Sequence, residues 1–128
     1  MRITGSVADV RPYIERAALF IVPLRIGGGT RLKIFEAMAM EKAVVSTSIG
    51  AEGLPVRDGE DIVLADTPER FAASVIRLLS DERRASEIGQ RAAAAVRAEF
   101  GWDRVAEQFA ATCARLLPSQ LVSAGSLR

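Results

Sequence analysis

The sequence predicts an α/β fold, with a parallel sheet of about four strands, helices on both faces and a helical C-terminus. Three observations carry this. Short apolar runs alternate with stretches of helical periodicity in the first part of the chain, and that alternation builds parallel sheets. Residues 18–23 form a continuous apolar run and 43–47 open on three apolar residues, as strands covered on both faces do. The last third keeps helical spacing throughout.

The elements follow in order. Residues 3–7, ITGSV, form a short β-type run. Residues 9–17 set Val10, Tyr13, Ile14 and Ala17 on one helical face, with Asp9 as N-cap. ALFIVP at 18–23 reads as a buried strand that ends at Pro23. A helix is expected from about Thr30 to Met40, then a strand at 43–47 (AVVST), the loop SIGAEGLP, and a strand at 61–65 (DIVLA). Thr67 caps the next helix and Pro68 takes its favoured first position. Phe71, Val75, Leu78 and Leu79 supply its inward stripe. Residues 81–100 make a helix with a small alanine face suited to close packing, slightly weakened by Gly89. After Gly101, residues 102–117 make a third helix with Val105, Phe109, Thr112, Cys113 and Leu116 on one side, so Cys113 is expected as a small core residue. Residues 1–117 form one domain and 118–128 a loose tail.

Composition excludes several functions. The chain has 128 residues, 49% hydrophobic and 26% charged, a globular balance. A net charge of +1 gives no field for nucleic acid, and none is expected as a partner. There is no histidine, which removes histidine-based nucleophile activation and the commonest metal ligand. One cysteine allows neither an internal disulfide nor a cysteine metal site. The N-terminus has no signal-peptide pattern and no apolar run approaches membrane-spanning length. A cytoplasmic protein is expected, with a peripheral place at the inner membrane left open for a longer form.

The candidate site is the loop LRIGGG at 24–29, where a strand hands over to a helix. Glycines let a ligand approach backbone amides closely. A helix N-terminus offers free N–H groups and about half a positive charge. Together they make an anion or hydroxyl cradle. Arg31 and Lys33 fall in the first helical turn, where cations oppose the macrodipole by about 0.3–1 kcal/mol each unless an anion is bound. A Lys33–Glu36 pair would explain Lys33 but not Arg31. Neither GxxxxGK[ST] nor GxGxxG is present. Glu36 is a lone carboxylate on an apolar helix, suited to a salt bridge or to a vicinal diol such as a ribose.

PLRIGGGTRLKIFEAMAMEKAVVSTSIGAEGL, residues 23–54, resembles the donor-binding segment of retaining GT-B glycosyltransferases of the family 4 kind. The resemblance covers about residues 3–117. It implies part of a Rossmann-like C-terminal domain that binds a nucleotide-diphosphate sugar, needs no metal or cofactor, and transfers the sugar to an acceptor held by an N-terminal domain. Gly27, Gly28, Gly29 and Thr30 would offer backbone groups to the donor. Glu36 matches the second glutamate of the E-x7-E motif and would hold the ribose. Ser6 and Val7 would lie near the nucleobase, and Arg31 and Lys33 could help with phosphate. No catalytic residue is assigned.

Three departures matter. Gly28 stands where the motif has its first glutamate, Glu41 where a glycine is usual, and Ala43 where a proline is usual. The resemblance also implies missing parts: two strand–helix units with a basic pair, and the whole acceptor domain. A fragment of this kind is expected to be inactive alone. Its ALFIVP strand would be an open apolar edge, so the fragment is expected to dimerise or to exchange residues 3–7 and the helix after them between protomers, or else to set residues 3–7 directly beside ALFIVP. Two other readings stand beside this one: a non-catalytic oligomerising module with weak or no nucleotide binding, and a flavodoxin-like domain. The second lacks a paired acid beside Asp66.

Overall fold

A computed structural model describes residues 3–116. The chain divides between Val96 and Arg97 into two compact units. The first holds a three-stranded parallel sheet in the order β1 (Phe20–Val22), β2 (Val44–Ser46), β3 (Val63–Leu64). Phe20 pairs with Val44 and Val45 with Val63. The α/β class and the parallel sheet are as the sequence predicts.

Residues 3–7 form no strand, so the sheet has three strands rather than about four. A lone β-type run needs a neighbour to supply its ladder, and none reaches it. Direct pairing of this run with ALFIVP does not occur. β1 stands at the edge of the sheet, as expected, and its Ile21 is 51% exposed.

β2 is the central strand, and all three of its residues are buried. Its side chains alternate between two cores. Val44 packs with Val22, Ile62, Ile14 of α1 (Arg11–Arg16), and Ile34, Ala37 and Met38 of α2 (Leu32–Ala39). Val45 packs on the other face with Val63, Leu78 of α3 (Pro68–Ser80), and Ala85 and Ile88 of α4 (Glu82–Phe100). Helices therefore cover both faces.

Helix ends follow local chemistry. Thr67 caps α3 by accepting the Arg70 amide at 3.3 Å. α1 is shorter than predicted and begins after Val10, while the Asp9 carboxylate accepts the Arg11 amide at 2.9 Å. Only Ile14 of its predicted face is buried. α2 ends in a Schellman motif: the Lys42 amide donates to the Ala37 carbonyl and the Glu41 amide to the Met38 carbonyl, both at 3.0 Å. Glu41 is left with a φ of 59°, the left-handed conformation glycine takes most easily.

The second unit contains α5 (Trp102–Leu116). Val105 and Phe109 of its apolar stripe are exposed and Cys113 is half-buried, so Cys113 is not a core residue in this chain. An amphipathic stripe shows in sequence whether or not anything covers it. The predicted tail at 118–128 lies outside the described residues.

Candidate functional site

The carboxyl ends of β1 and β2 lie side by side, and each launches a loop. Ser46 ends β2 fully buried, donating to the Thr47 carbonyl at 2.9 Å. The Thr47 hydroxyl donates to the Leu24 carbonyl and accepts the Gly50 amide at 2.9 Å. One small side chain thus joins the loop after β1 to the loop after β2. Gly50 is confined: an added Cβ would overlap the Ser46 hydroxyl and lie 3.1 Å from the Val22 carbonyl.

The glycine loop runs from this platform into α2. Arg31 precedes that helix and turns inward, with 7% of its side chain exposed. Its Nη1 donates to the Gly28 carbonyl at 3.2 Å. Its Nη2 donates to the carbonyls of Gly27 at 3.1 Å and Ile49 at 2.9 Å. Glu52 stands 3.8 Å away as a mostly exposed counter-charge, and the buried Nε has no partner. A guanidinium among three carbonyls is a clamp between two loops. It does not point outward as a phosphate-binding side chain would. Gly29 has a φ of 90°, which suits glycine.

Gly27, Gly28, Gly29, Thr30, Lys33 and Glu36 are all exposed. Lys33 and Glu36 form no ion pair within 4.0 Å, so the local salt bridge is not what either is for. Arg11, four residues beyond Val7, is held toward its charged form chiefly by Asp9 and also by the field of Glu36. Ser6 is exposed and Val7 half-buried. Ile26, Leu32 and Ile49 are exposed apolar side chains of the same loops and first helical turn.

A cavity of about 270 Å³ opens at the carboxyl ends of the three strands, lined by Pro23, Arg25, Thr47, Asp66, Thr67 and Phe71 among others. Asp66 forms its polar wall. It accepts the Ser48 amide at 2.7 Å and the Ser48 hydroxyl at 2.8 Å, and these bonds hold its carboxyl below the usual range. A larger cavity, about 430 Å³, shares no residue with the glycine loop. It is lined by Arg70, Arg77 and Arg84 together with Asp58 and Asp81, so its charges largely offset one another. Among the described residues no group of three or more acidic or cysteine side chains could hold a metal ion. No described helix is long and apolar enough to cross a membrane.

Sequence reasoning missed the inward turn of Arg31, the Thr47 bridge and the Ser48–Asp66 latch. The signal for the first was present but ambiguous: a cation in a helix's first turn is unfavourable unless something negative meets it, and backbone carbonyls serve as well as phosphate.

Residues 1–81 match the family model of glycosyl transferases group 1. The chain is similar to the lipopolysaccharide core biosynthesis mannosyltransferase LpcC of Rhizobium leguminosarum bv. viciae, 31% identical over 115 residues, 88% of this chain and 32% of that protein. It is also similar to an uncharacterized 44.6 kDa protein in the cps region of Klebsiella pneumoniae, 37% identical over 71 residues, 56% of this chain and 18% of that protein. Among solved structures, sucrose-phosphate synthase from Thermosynechococcus elongatus matches with a TM-score of 0.69 at 25% identity, over 84% of this chain and 27% of that one. The chain spans about a third or less of the length of each relative.

Proposed function

Because the chain belongs to the family of group 1 glycosyl transferases, we propose that it forms the donor-binding part of a sugar-transferring enzyme whose acceptor domain lies in a longer protein. The observation that carries this reading is the exposed glycine loop entering α2 at the carboxyl ends of the strands, with Lys33 and Glu36 unpaired with each other beside it. The loop amides and the α2 N-terminus take the diphosphate of a nucleotide sugar, with Lys33 adding charge. Glu36 accepts hydrogen bonds from the ribose, and the segment at Ser6 and Val7 flanks the base. The work is positioning and electrostatic stabilisation of the leaving diphosphate, without a metal. The exposed Ile26, Leu32 and Ile49 favour a covering domain over this cradle. The chain alone is inactive.

Isothermal titration of UDP, GDP and a nucleotide sugar of each into the chain tests this. Binding that is lost in Glu36→Ala, with the unfolding midpoint unchanged, supports the reading. Absence of binding at millimolar ligand overturns it for the isolated chain.

A second reading rests on the open edge of β1 and its exposed Ile21: a non-catalytic module that pairs with a second copy through that edge. Sedimentation across a concentration series separates the two, since a persistent monomer removes the second.

A further inference from the structure

We infer that Arg31 is a positioning residue that aims the amides of Gly28 and Gly29 outward as a two-donor anion site, while its own guanidinium never touches the ligand. The inference rests on reading the glycine loop as the donor site. Its basis is peptide geometry. The peptides here are trans and planar, so the C=O of one residue and the N–H of the next point in opposite directions. The guanidinium takes the carbonyls of both Gly27 and Gly28. The N–H groups of Gly28 and Gly29, on the far sides of those two peptide planes, must then face away from it.

Several observations agree. Among the described residues neither amide donates to a protein acceptor. The space around both glycines is open, with no atom within 4 Å of an added Cβ. Gly27 is tight instead: a Cβ there would lie 3.3 Å from Arg31 Nη1. The third carbonyl bond, to Ile49, fastens this arrangement to the loop after β2. Burial of Arg31 keeps the charge out of water, where screening would blunt it. A cation bonded to a carbonyl also polarises the attached N–H and makes it a stronger donor. The positive charge thus acts on the ligand through two peptide groups. This explains why a cation occupies a helix start that would otherwise favour an acid. The ligand class is a phosphate or diphosphate, whose oxygens accept from paired amides.

The test is amide NMR on the whole chain, with inorganic pyrophosphate and UDP as separate probes. In the wild type both ligands are expected to move the Gly28 and Gly29 amide resonances downfield. Without ligand, Arg31→Gln should drop the order parameters of Gly28 and Gly29 from about 0.85 to below about 0.6, while Lys33→Gln leaves them rigid. Arg31→Lys, which keeps the charge but not the planar fork, should loosen the loop and weaken pyrophosphate binding. If Arg31→Gln does not fold, this variant and the wild-type titration decide the matter. UDP shifts around Glu36 without shifts at Gly28 and Gly29 would overturn the inference and leave the donor reading standing. Pyrophosphate shifts at the two glycines without any UDP response would support the inference and sink the donor reading. A loop equally rigid in both Arg31 variants, or no response to either probe, overturns the inference.

Discussion

Gly89 of α4 rests against the carbonyl of Glu41, the left-handed residue that closes α2. A methyl added at Gly89 would overlap that oxygen and lie 2.7 Å from its carbon. The two helices approach this closely because one lacks a side chain where the other turns its backbone outward.

Gly89→Ala is therefore expected to destabilise the protein, although alanine is the better helix former by about 1 kcal/mol. Overpacking a tight site costs about 1–3 kcal/mol, and a backbone obstacle yields less than a side chain would. Urea denaturation should show a lower midpoint at unchanged slope. A higher midpoint would mean the helices do not meet here.

Glu41→Gly should do the opposite. A non-glycine residue in the left-handed region carries a strain of about 1–2 kcal/mol, partly offset by the greater freedom of unfolded glycine. A net gain below about 1 kcal/mol is expected, read as a higher melting temperature. Asn at this position should fall between the two.

These two sites show what was legible in the sequence and what was not. The strands at 20–22 and 44–46 both stand out as apolar runs, although only β2 is buried at every residue and Ile21 of β1 is exposed at the sheet edge. The break in family pattern at Glu41 was also visible, and its cost follows from a dihedral angle. Gly89 looked like a helix-weakening residue because nothing local announces a neighbouring backbone. For Arg31 the helix-dipole argument fixes the sign of what meets the guanidinium but not its identity, and three backbone carbonyls satisfy it as a phosphate would. Residues 3–7 had strand chemistry without a strand's partner. Exposure of Val105 and Phe109 depends on what covers α5, which periodicity does not encode.

Gly50→Ala should disturb the platform under the glycine loop. Its methyl meets the buried Ser46 hydroxyl first, with the Thr47 hydroxyl and the Val22 carbonyl each at 3.1 Å. A loss of about 1–3 kcal/mol is expected. Combining it with Ser46→Ala separates the obstacles by a double-mutant cycle. Partial recovery assigns the clash to the hydroxyl, and simple additivity assigns it to the backbone.

The Ser48–Asp66 pair predicts a pH effect of definite sign. The Ser48 amide, and then its hydroxyl, lower the Asp66 pKa in the folded chain. A depressed folded value means the contribution to stability is complete above the unfolded value, near about 4, and is lost as the pH falls through the folded one. The stability difference between wild type and Asp66→Asn should be constant at neutral pH and shrink below about pH 4. A carbon-detected titration of Asp66 checks the cause. Ser48→Ala removes only the hydroxyl bond, so the midpoint should rise part of the way and no further.

The alternation of Val44 and Val45 between the two cores bears on how the molecule assembles. Each core recruits one side chain from the same two consecutive residues, and neither closes without β2 in register. A slip of one position would exchange the two valines between the cores and bring the Ser46 side chain to the opposite face. The first unit is thus expected to unfold as one cooperative body, with amide exchange in β2 the slowest in the chain. Partial openings begin elsewhere, at segments such as residues 3–10 that no strand secures.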